Sequence, residues 1–552
     1  MIINSKKLKN NITLKVDLCI IGSGPAGLTI ANDMKKTKFK ILVIPGGENK
    51  ISEKNQNLYK GYINPKSSHE PLEQSRHRVF GGSGNFWGGR CVPMDEIDFK
   101  KRSWIPNSEW PIKYSELKPY FSSAEKLLKI NSFYKIKNMK EIIKMLDDKY
   151  ITSSKIEQWS PILNFSNEFK HLFFKENISL LKNGHAVKIN TTINKVISIE
   201  AISNNKKINI KAKKYILACG GIENTRLLLA SNNSLHPKGI GNKKNLVGRY
   251  YMSHHAGIFL NLNPYNRENI LYQYKKNVDG TYFRQRWWIT DIMQRREKIA
   301  NTIFYLTHTD DLKGMGYDGY IYSLVYLVKF ILSYYKKIFS KNYHLNLKKD
   351  ERKNLLYHSK VFAKNFFILI PKIILITFQR LKKNRLPSIL PGKQSKFFGL
   401  YFQSEQTPCY YSRISIMKKK KDSLGIPKVK MNIKFNDKDK KTILKAYEYF
   451  IKRYTTIKAG DLERKNNKMI INRLIKKKMK NFNSGAHHCG TTRMAKNDRL
   501  GVVDKNCKVF GIKNLFLAGS SVFPTVGHAN PTFTIVALSL RLSKYLKKII
   551  KK

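Results

Sequence analysis

Two short stretches near the end of the chain contain residue types that can move a proton. The first, "AHHCGTTRM", holds His487 and His488, and the second, "VGHANPTF", holds His528 and Asn530. A neutral imidazole with a pKa of about 6.5 accepts a proton at physiological pH. A hydroxyl group gives up hydride from its carbon far more readily once it has lost its proton, so these stretches fit chemistry on a hydroxyl group.

Asn530 also stands where a helix is predicted to begin. From Ile535 onward the apolar residues recur with helical spacing. Asn530 is a good N-cap, and Pro531 suits the first helical position, where no N–H is needed. A helix start carries unpaired N–H groups and about half a positive charge. We therefore expect Pro531 and Thr532 to face a bound group with negative character.

A glycine-rich turn near the start of the chain predicts a nucleotide-binding site. The apolar strand "VDLCII" leads into "GSGPAGL", and a second apolar strand, "FKILVI", follows. Gly22, Gly24 and Gly27 have the GxGxxG spacing, in which they allow the tight turn, the approach of a pyrophosphate and the packing of helix on strand, respectively. The pyrophosphate would rest on the helix start at Pro25 and Ala26.

The end of that second strand lacks its usual acid. An acidic residue there normally binds a ribose. This chain has "IPGG" at the position, and the first acid that follows is Glu48. Either Glu48 reaches back to the ribose, or water and backbone groups replace it.

Further pieces of a nucleotide-binding fold lie in the middle and near the end of the chain. The stretch "KYILACGGIENTRLLLAS" reads as strand, small-residue turn and helix, and "NLFLAGSS" reads as a late strand. We therefore predict an α/β protein with a discontinuous Rossmann-like domain and an inserted α+β substrate domain. The first would comprise residues 13–99, 186–260 and 476–552, and the second residues 100–185 and 261–475.

The chain is far more basic than ordinary proteins. Its 104 lysines and arginines against 38 acidic residues give a formal net charge of +66. Nucleic acid or an anionic membrane would attract such a charge. The basic residues are nevertheless spread over every segment, whereas a basic binding protein concentrates them in one patch or tail. We attribute most of the charge to drift of surface positions, with a general attraction to anionic surfaces as a by-product.

Cysteine usage and the first residues of the chain indicate a compartment. The six cysteines are scattered, with no CxxC pair and no metal-ligand spacing, which favours a reducing environment and predicts no metal site. The first residues run from charged positions straight into a strand, without the apolar core of a signal peptide. We expect a cytoplasmic protein.

Two apolar stretches interrupt the predicted substrate domain. Residues 320–339 and 361–381 are rich in apolar and aromatic types, but lysines interrupt both and a proline breaks the second. Neither approaches the ~18 to 20 uncharged residues that a membrane span needs. We expect buried or groove-lining helices within 320–381. Helices lying in a membrane interface, at the inner surface, are the alternative.

Taken together, these segments resemble the glucose–methanol–choline (GMC) family of FAD-dependent oxidoreductases. The matching segments include "IIGSGPAGLT", "GGSGNFWGG", "LACGGIENTRLLL", "VGRYYMSHH", "HHCGTTRM" and "NPTFTIVALSLR". The stretches "GTTRM" and "AGSSVFPT" lean toward the sugar-oxidising branch of the family. The resemblance implies a dehydrogenase or oxidase that oxidises a CH–OH group of a sugar, polyol or other alcohol, with two electrons passing to FAD.

The resemblance also assigns roles to residues. It implies that His487 is the base that takes the hydroxyl proton and that Asn530 is its partner. Some members tether their flavin through a histidine of the glycine-rich loop, and Phe86 holds that position here, so non-covalent FAD is expected. Beyond the first turn, the predicted FAD-binding residues are Glu48, Gly81, Gly82, Asn85, Phe86, Trp87, Ala218, Gly519, Pro531 and Thr532.

Several alternatives stay open at this point. His488 is either a packed neighbour or, if the alignment slips by one residue, the base itself. His528 either lines the pocket or takes part in the chemistry, whereas His254 and His255 are expected to cap or pack. The rival functions are a membrane-surface dehydrogenase that passes electrons to quinone and a basic nucleic-acid-binding protein on a nucleotide-binding fold. The substrate and the electron acceptor are not indicated.

Overall fold

The structure is a computed structural model of the 552-residue chain. It describes residues 1–67, 69–137, 146–266, 274–277, 279–307, 349–364, 397–463 and 487–550, together with scattered positions between 323 and 374. Most of the two apolar stretches predicted as helices, 320–339 and 361–381, lies outside the described residues. Among all the residues that the structure describes, no helix is both long enough and apolar enough to cross a membrane.

The first sheet is the predicted nucleotide-binding sheet. Its central strands are parallel, which requires the helices between them to cover both faces. Strand Ile41–Ile44 is accordingly apolar and buried at all four positions. In spatial order the sheet comprises Ile2–Ile3, Ile178–Leu181, Ile41–Ile44, Ile12–Ile21, Lys206–Leu217, Val196–Ser203 and His185–Thr191, with Leu515–Leu517 pairing in parallel with Lys206–Leu217.

The glycine-rich turn joins strand Ile12–Ile21 to helix Pro25–Asp33. Gly22 has a φ of 109°, and a Cβ placed there would lie 2.4 Å from the Ala218 carbonyl oxygen. A Cβ on Gly27 would lie 2.0 Å from the carbonyl oxygen of Gly22. Only glycine fits at these two positions, because the helix and two strands meet there backbone to backbone.

The second sheet is mostly antiparallel, and its two faces differ. One face packs on helix Asp437–Thr456, where Trp287 meets Phe450 with ring centroids 5.2 Å apart. The other face is polar and faces the nucleotide-binding sheet's helices and loops. In spatial order the second sheet comprises Gly460–Leu462, His254–Pro264, Phe398–Glu405, Thr302–Thr307, Tyr282–Ile289, Ile151–Trp159 and Arg90–Cys91, with Lys275–Lys276 pairing with Tyr282–Ile289.

A small third sheet joins distant parts of the chain. Tyr62–Ile63 pairs with Pro427–Asn432, which pairs with Arg413–Lys421.

Two strands lie in a different sheet from the one that their predicted domain implies. Strand Ile178–Leu181, predicted in the substrate domain, belongs to the first sheet, and Arg90–Cys91, predicted in the nucleotide-binding domain, belongs to the second. Strand pairing, rather than position along the chain, decides which sheet a segment joins.

Helices cover the sheets and connect their strands. The last helix starts at Pro531, as the sequence predicts, and packs on the first helix, where Ser543 donates a hydrogen bond of 2.6 Å to Asp33 and Lys547 forms an ion pair of 2.7 Å with the same carboxylate. The described α-helices are Pro25–Asp33, Glu53–Asn57, Glu96–Phe99, Tyr114–Leu117, Phe121–Leu128, Phe133–Lys137, Phe165–Phe169, Gly220–Ala230, Asp291–Glu297, Lys349–Lys364, Asp437–Thr456 and Pro531–Ile550.

Candidate active site

A cavity of about 600 Å³ is lined by residues of both large sheets and their loops. Its volume is within the range of small-molecule and cofactor sites. We call the part lined by the glycine-rich turn the glycine-rich end and the part lined by His487 and Asn530 the hydroxyl end. Of the residues predicted to bind FAD, the cavity is lined by Gly22, Gly24, Pro25, Ala26, Gly82, Phe86, Trp87, Ala218, Gly519, Pro531 and Thr532.

The glycine-rich end presents backbone groups to the cavity. Gly24 is the N-cap of the first helix, and a Cβ placed on it would meet no atom within 4 Å. Its backbone is therefore open to a ligand at the point where the helix start offers unpaired N–H groups. Ser23 braces the turn, because its hydroxyl donates to the Pro45 carbonyl (3.3 Å) and accepts from the Gly81 N–H (3.2 Å). This end fits a pyrophosphate.

Not every predicted FAD-binding residue reaches the cavity. Gly27 packs the helix on the strand, as described above. Asn85 instead holds the glycine-rich loop together, because it donates to the Phe80 carbonyl (2.7 Å) and accepts from the Ser166 N–H (2.9 Å). Gly81 must be glycine because a Cβ there would lie 2.1 Å from the Asn85 amide oxygen. These residues shape the cavity without lining it.

The acids that line the cavity are Glu70 and Glu223, and the predicted Glu48 is not among them. Glu48 does not line the cavity, and its backbone accepts a hydrogen bond from Phe80 (2.8 Å). Glu223, at the start of helix Gly220–Ala230, lines the cavity and forms an ion pair of 2.7 Å with Arg76. Burial acts to raise the pKa of Glu223, but Arg76 and the neighbouring arginines outweigh it and lower the pKa to about 2. An ionised carboxylate therefore stands there.

The loop aromatics line the middle of the cavity. Trp87 is anchored by its indole N–H, which donates to the Ile162 carbonyl (3.1 Å). Phe86 is 52% exposed and packs against His77, another cavity residue, with ring centroids 4.1 Å apart. Phe86 thus presents a ring to the cavity at the position where some family members carry the histidine that tethers their flavin. Non-covalent binding of FAD stays a prediction.

At the opposite end, four polar side chains form a hydrogen-bonded row. Gln403 donates to the Asn530 amide oxygen (3.3 Å), so the Asn530 amide nitrogen faces His487 Nε2, also at 3.3 Å. His487 Nε2 therefore accepts, and its proton is on Nδ1, which donates to His254 Nδ1 at 2.9 Å. This tautomer leaves the lone pair of His487 on the nitrogen beside Asn530.

Electrostatics keep this row neutral. Burial, aided by the positive charge of Arg90, lowers the pKa of His487 to about 4. Burial, followed by the influence of His487 and His528, lowers the pKa of His254 well below its usual value. Both imidazoles are neutral at physiological pH, and the Nε2 lone pair of His487, which accepts from Asn530, carries no proton.

The other two candidate histidines differ from His487 in their surroundings. His488 lines the cavity but stacks on His69, with ring centroids 5.5 Å apart, and burial lowers its pKa well below the usual value. His528 is buried behind Asn530, does not line the cavity, and lies with Nε2 2.9 Å from a carboxylate oxygen of Asp95. Only His487 both lines the cavity and contacts Asn530.

The last helix points its start at the same end of the cavity. Pro531 and Thr532 form its first residues and line the cavity next to Asn530. Gly519 and Ser520 line it as well, beyond strand Leu515–Leu517. The unpaired N–H groups and partial positive charge of the helix start therefore favour negative charge at this position.

Sequence reasoning missed several residues that build the site. Glu223 lies in the quoted "GGIENTR" segment, where an acid directly after a small-residue turn was the available signal. Arg90 and Trp159 line the cavity from the second sheet, and Gln403 positions Asn530 from the same sheet. His254 was expected to cap or pack, yet it contacts His487. Trp159 and Gln403 come from segments without a recognisable motif, whereas Glu223 and His254 lie in segments that resemble the family.

Comparison with known proteins agrees with this geometry. Residues 411–539 match the family model described as GMC oxidoreductase, and residues 16–260 match the model described as pyridine nucleotide-disulphide oxidoreductase. The chain is 20% identical to 2-methyl-1,2-propanediol dehydrogenase of Mycolicibacterium austroafricanum, over 97% of this chain and 95% of that protein.

Solved structures share the fold. Pyridoxine 4-oxidase from Mesorbium loti superposes with a TM-score of 0.55 at 14% identity, covering 96% of this chain and 99% of that one. Formate oxidase of Aspergillus oryzae RIB40 superposes with a TM-score of 0.53 at 14% identity, covering 98% of this chain and 99% of that one. At these identities the likeness concerns the arrangement of sheets and helices.

Proposed function

Since the chain is an FAD-dependent oxidoreductase of the GMC family that acts on CH–OH groups, we propose that His487 is its base and that Asn530 orients the substrate hydroxyl. The observation that carries this proposal is the contact between the two side chains at the cavity wall, 3.3 Å from amide nitrogen to imidazole Nε2. A hydroxyl that displaces the Asn530 amide from His487 Nε2 meets one acceptor and one donor.

The hydrogen-bonded row explains which nitrogen takes the proton. Gln403 fixes the Asn530 amide so that its nitrogen points toward His487, and His254 accepts from the opposite nitrogen of that ring. His487 Nε2 therefore takes the proton from the hydroxyl, while the Asn530 amide donates to the same oxygen. His254 and Gln403 are positioning residues in this scheme, because they act through His487 and Asn530.

FAD, when bound, supplies the acceptor for the hydrogen that leaves the carbon with both electrons. The chain contributes the surroundings. The start of the last helix, at Pro531 and Thr532, favours negative charge at this end of the cavity, and Trp87 and Trp159 help to line it. Gly24 and the first helix fit the phosphates at the other end.

An alcohol is the supported substrate class. The similar protein from Mycolicibacterium austroafricanum is by name a dehydrogenase of a small diol, and the enzyme function is favoured over the nucleic-acid-binding alternative by the family matches. The leaning toward sugars stays a prediction, as do quinone as the electron acceptor, a peripheral membrane contact and a cytoplasmic location.

The test is single-turnover reduction of the purified holoenzyme under anaerobic conditions, followed by loss of flavin absorbance, against a panel of alcohols, polyols and sugars. Replacing His487 with Ala should slow reduction by about 10²- to 10⁴-fold, which is the usual contribution of a positioned base. His171, an exposed histidine remote from the cavity, provides the control His171→Ala. A larger loss in His488→Ala than in His487→Ala would assign the base to His488 instead.

A further inference from the structure

A cluster of charged side chains lies on the polar face of the second sheet, beside the proposed base. Glu157, fully buried, is surrounded by three arginines: Arg284 donates to its Oε1 (2.8 Å), and Arg90 and Arg286 lie 3.3 and 3.2 Å from its Oε2. Three guanidinium groups against one carboxylate leave two positive charges unmatched. Burying unmatched charge is costly, so such a cluster favours a bound anion.

Some buried nitrogen atoms of this cluster also lack hydrogen-bond partners among the described residues. Arg286 is fully buried, and none of its three guanidinium nitrogens has a hydrogen-bond partner among the residues that the structure describes. Burial, with Arg90 and Arg284 outweighing the help from Glu157, lowers the pKa of Arg286 to about 10. The guanidinium is still charged at neutral pH, and it adds to the positive potential behind Arg90.

Arg90 brings this positive charge to the cavity. It lines the cavity together with Trp159, and its charge contributes to the lowered pKa of His487, so it lies within electrostatic reach of the base. Its Nη1 donates to the Tyr305 hydroxyl (3.2 Å), and its Nε faces Glu157. Among the residues that the structure describes, Nη2 has no hydrogen-bond acceptor, and a guanidinium N–H can donate to one oxygen of a carboxylate.

We propose that the substrate is an alcohol that also carries a carboxylate, and that Arg90 binds this carboxylate while His487 faces the hydroxyl. The inference rests on the proposed function and adds the substrate class to it. The hydroxyl proton goes to His487, the carbon-bound hydrogen leaves with its electron pair to oxidised FAD, and the product is an oxo acid. The FAD phosphates belong at the glycine-rich end and do not neutralise this cluster. The net charge of +66 draws anions toward the protein.

The experiment compares substrates that differ in charge. Anaerobic flavin reduction of the holoenzyme is measured with glycerate against glycerol, with glucuronate against glucose, and with glycerol phosphate. We expect kcat/KM for the carboxylates to exceed that for their neutral partners by at least about 10-fold, the effect of one hydrogen bond to a charged group. Preference for the neutral partners, or for glycerol phosphate over glycerate, would overturn the inference. If no alcohol reduces the flavin, the proposed function itself fails.

Variants of Arg90 make the test specific. Arg90→Gln should lower the ratio of kcat/KM for glycerate to that for glycerol by about 10- to 100-fold, and Arg90→Lys should recover part of it. Arg295→Gln, which removes a half-exposed surface arginine, is the control for net charge and should keep the ratio.

A binding measurement serves as the second readout. Acetate should perturb the flavin absorbance of the unreduced wild-type holoenzyme and bind more weakly to Arg90→Gln. Equal acetate affinity in both proteins would contradict a carboxylate site at Arg90, whatever the turnover.

Discussion

The two ends of the cavity are made from different kinds of group. At the glycine-rich end, Gly22 and Gly24 present backbone, and the turn, helix and strand that position them are continuous in sequence. At the hydroxyl end the groups are side chains joined by hydrogen bonds. Three of them, His254, Gln403 and His487, come from segments far apart in the chain. The first end depends on the absence of side chains, and the second depends on their hydrogen bonds.

This difference predicts that the two ends fail in different ways. A change at the hydroxyl end should reduce the rate while FAD stays bound, whereas a change at the glycine-rich end should reduce FAD binding while the fold stays intact. Each variant below is therefore measured for both flavin content and rate of flavin reduction.

After the loss predicted for His487→Ala, the largest effect is expected at Asn530. Replacing it with Leu removes the amide that faces His487 and leaves no donor for the substrate oxygen. Flavin reduction should slow by about 10²- to 10³-fold, as when a positioned donor is removed from an active site, while flavin content is kept. Asn232→Leu, at an exposed position, is the control. A normal rate in Asn530→Leu would remove Asn530 from the mechanism.

A smaller effect is expected at Gly24. Its φ of −76° suits any residue, and a Cβ there meets no protein atom, so Gly24→Ala should fold. The methyl group would stand between the helix start and the pyrophosphate and weaken FAD binding by about 10- to 100-fold. Titration of the apoprotein with FAD, followed by flavin fluorescence, measures this. Unchanged affinity would show that the phosphates bind elsewhere.

The smallest effect is expected from pH. In the proposed scheme the neutral form of His487 is the active one, and since its pKa is lowered to about 4, the rate should fall only as pH drops toward that value. Between pH 6 and 8, flavin reduction by a neutral alcohol should change by less than about twofold. A histidine with the usual pKa of about 6.5 would give about a fourfold rise over this range. Stopped-flow measurement of flavin reduction across this pH range distinguishes the lowered pKa from the usual one.

The success of the sequence predictions also differs between the glycine-rich end and the hydroxyl end. The GxGxxG turn, the buried strand after it and the start of the last helix at Pro531 are local patterns, and the structure has them where they were predicted. The strand-end acid was sought at Glu48 because the motif is local, yet Glu223, one of the acids that line the cavity, comes from a helix after a different strand. No local pattern indicates that approach.

The hydroxyl end was predicted only where family motifs reached it. His487 and Asn530 carry such motifs, but Gln403, which fixes the Asn530 amide, lies in a strand with no motif. Arg90 and Glu157 meet because Arg90–Cys91 pairs with Ile151–Trp159, and a pairing between strands so far apart depends on the tertiary fold. Domain limits were misplaced for the same reason, because strands were assigned by neighbourhood in the chain.

The late strand Leu515–Leu517 and the last helix affect how the protein matures. The long strand Lys206–Leu217 receives its parallel neighbour from a segment roughly three hundred positions later, and the helix start beside Asn530 comes after that. During synthesis on the ribosome, the nucleotide pocket therefore stays incomplete until residues 515–532 have emerged. Ribosome-bound chains lacking residues 515–550 should consequently not retain flavin.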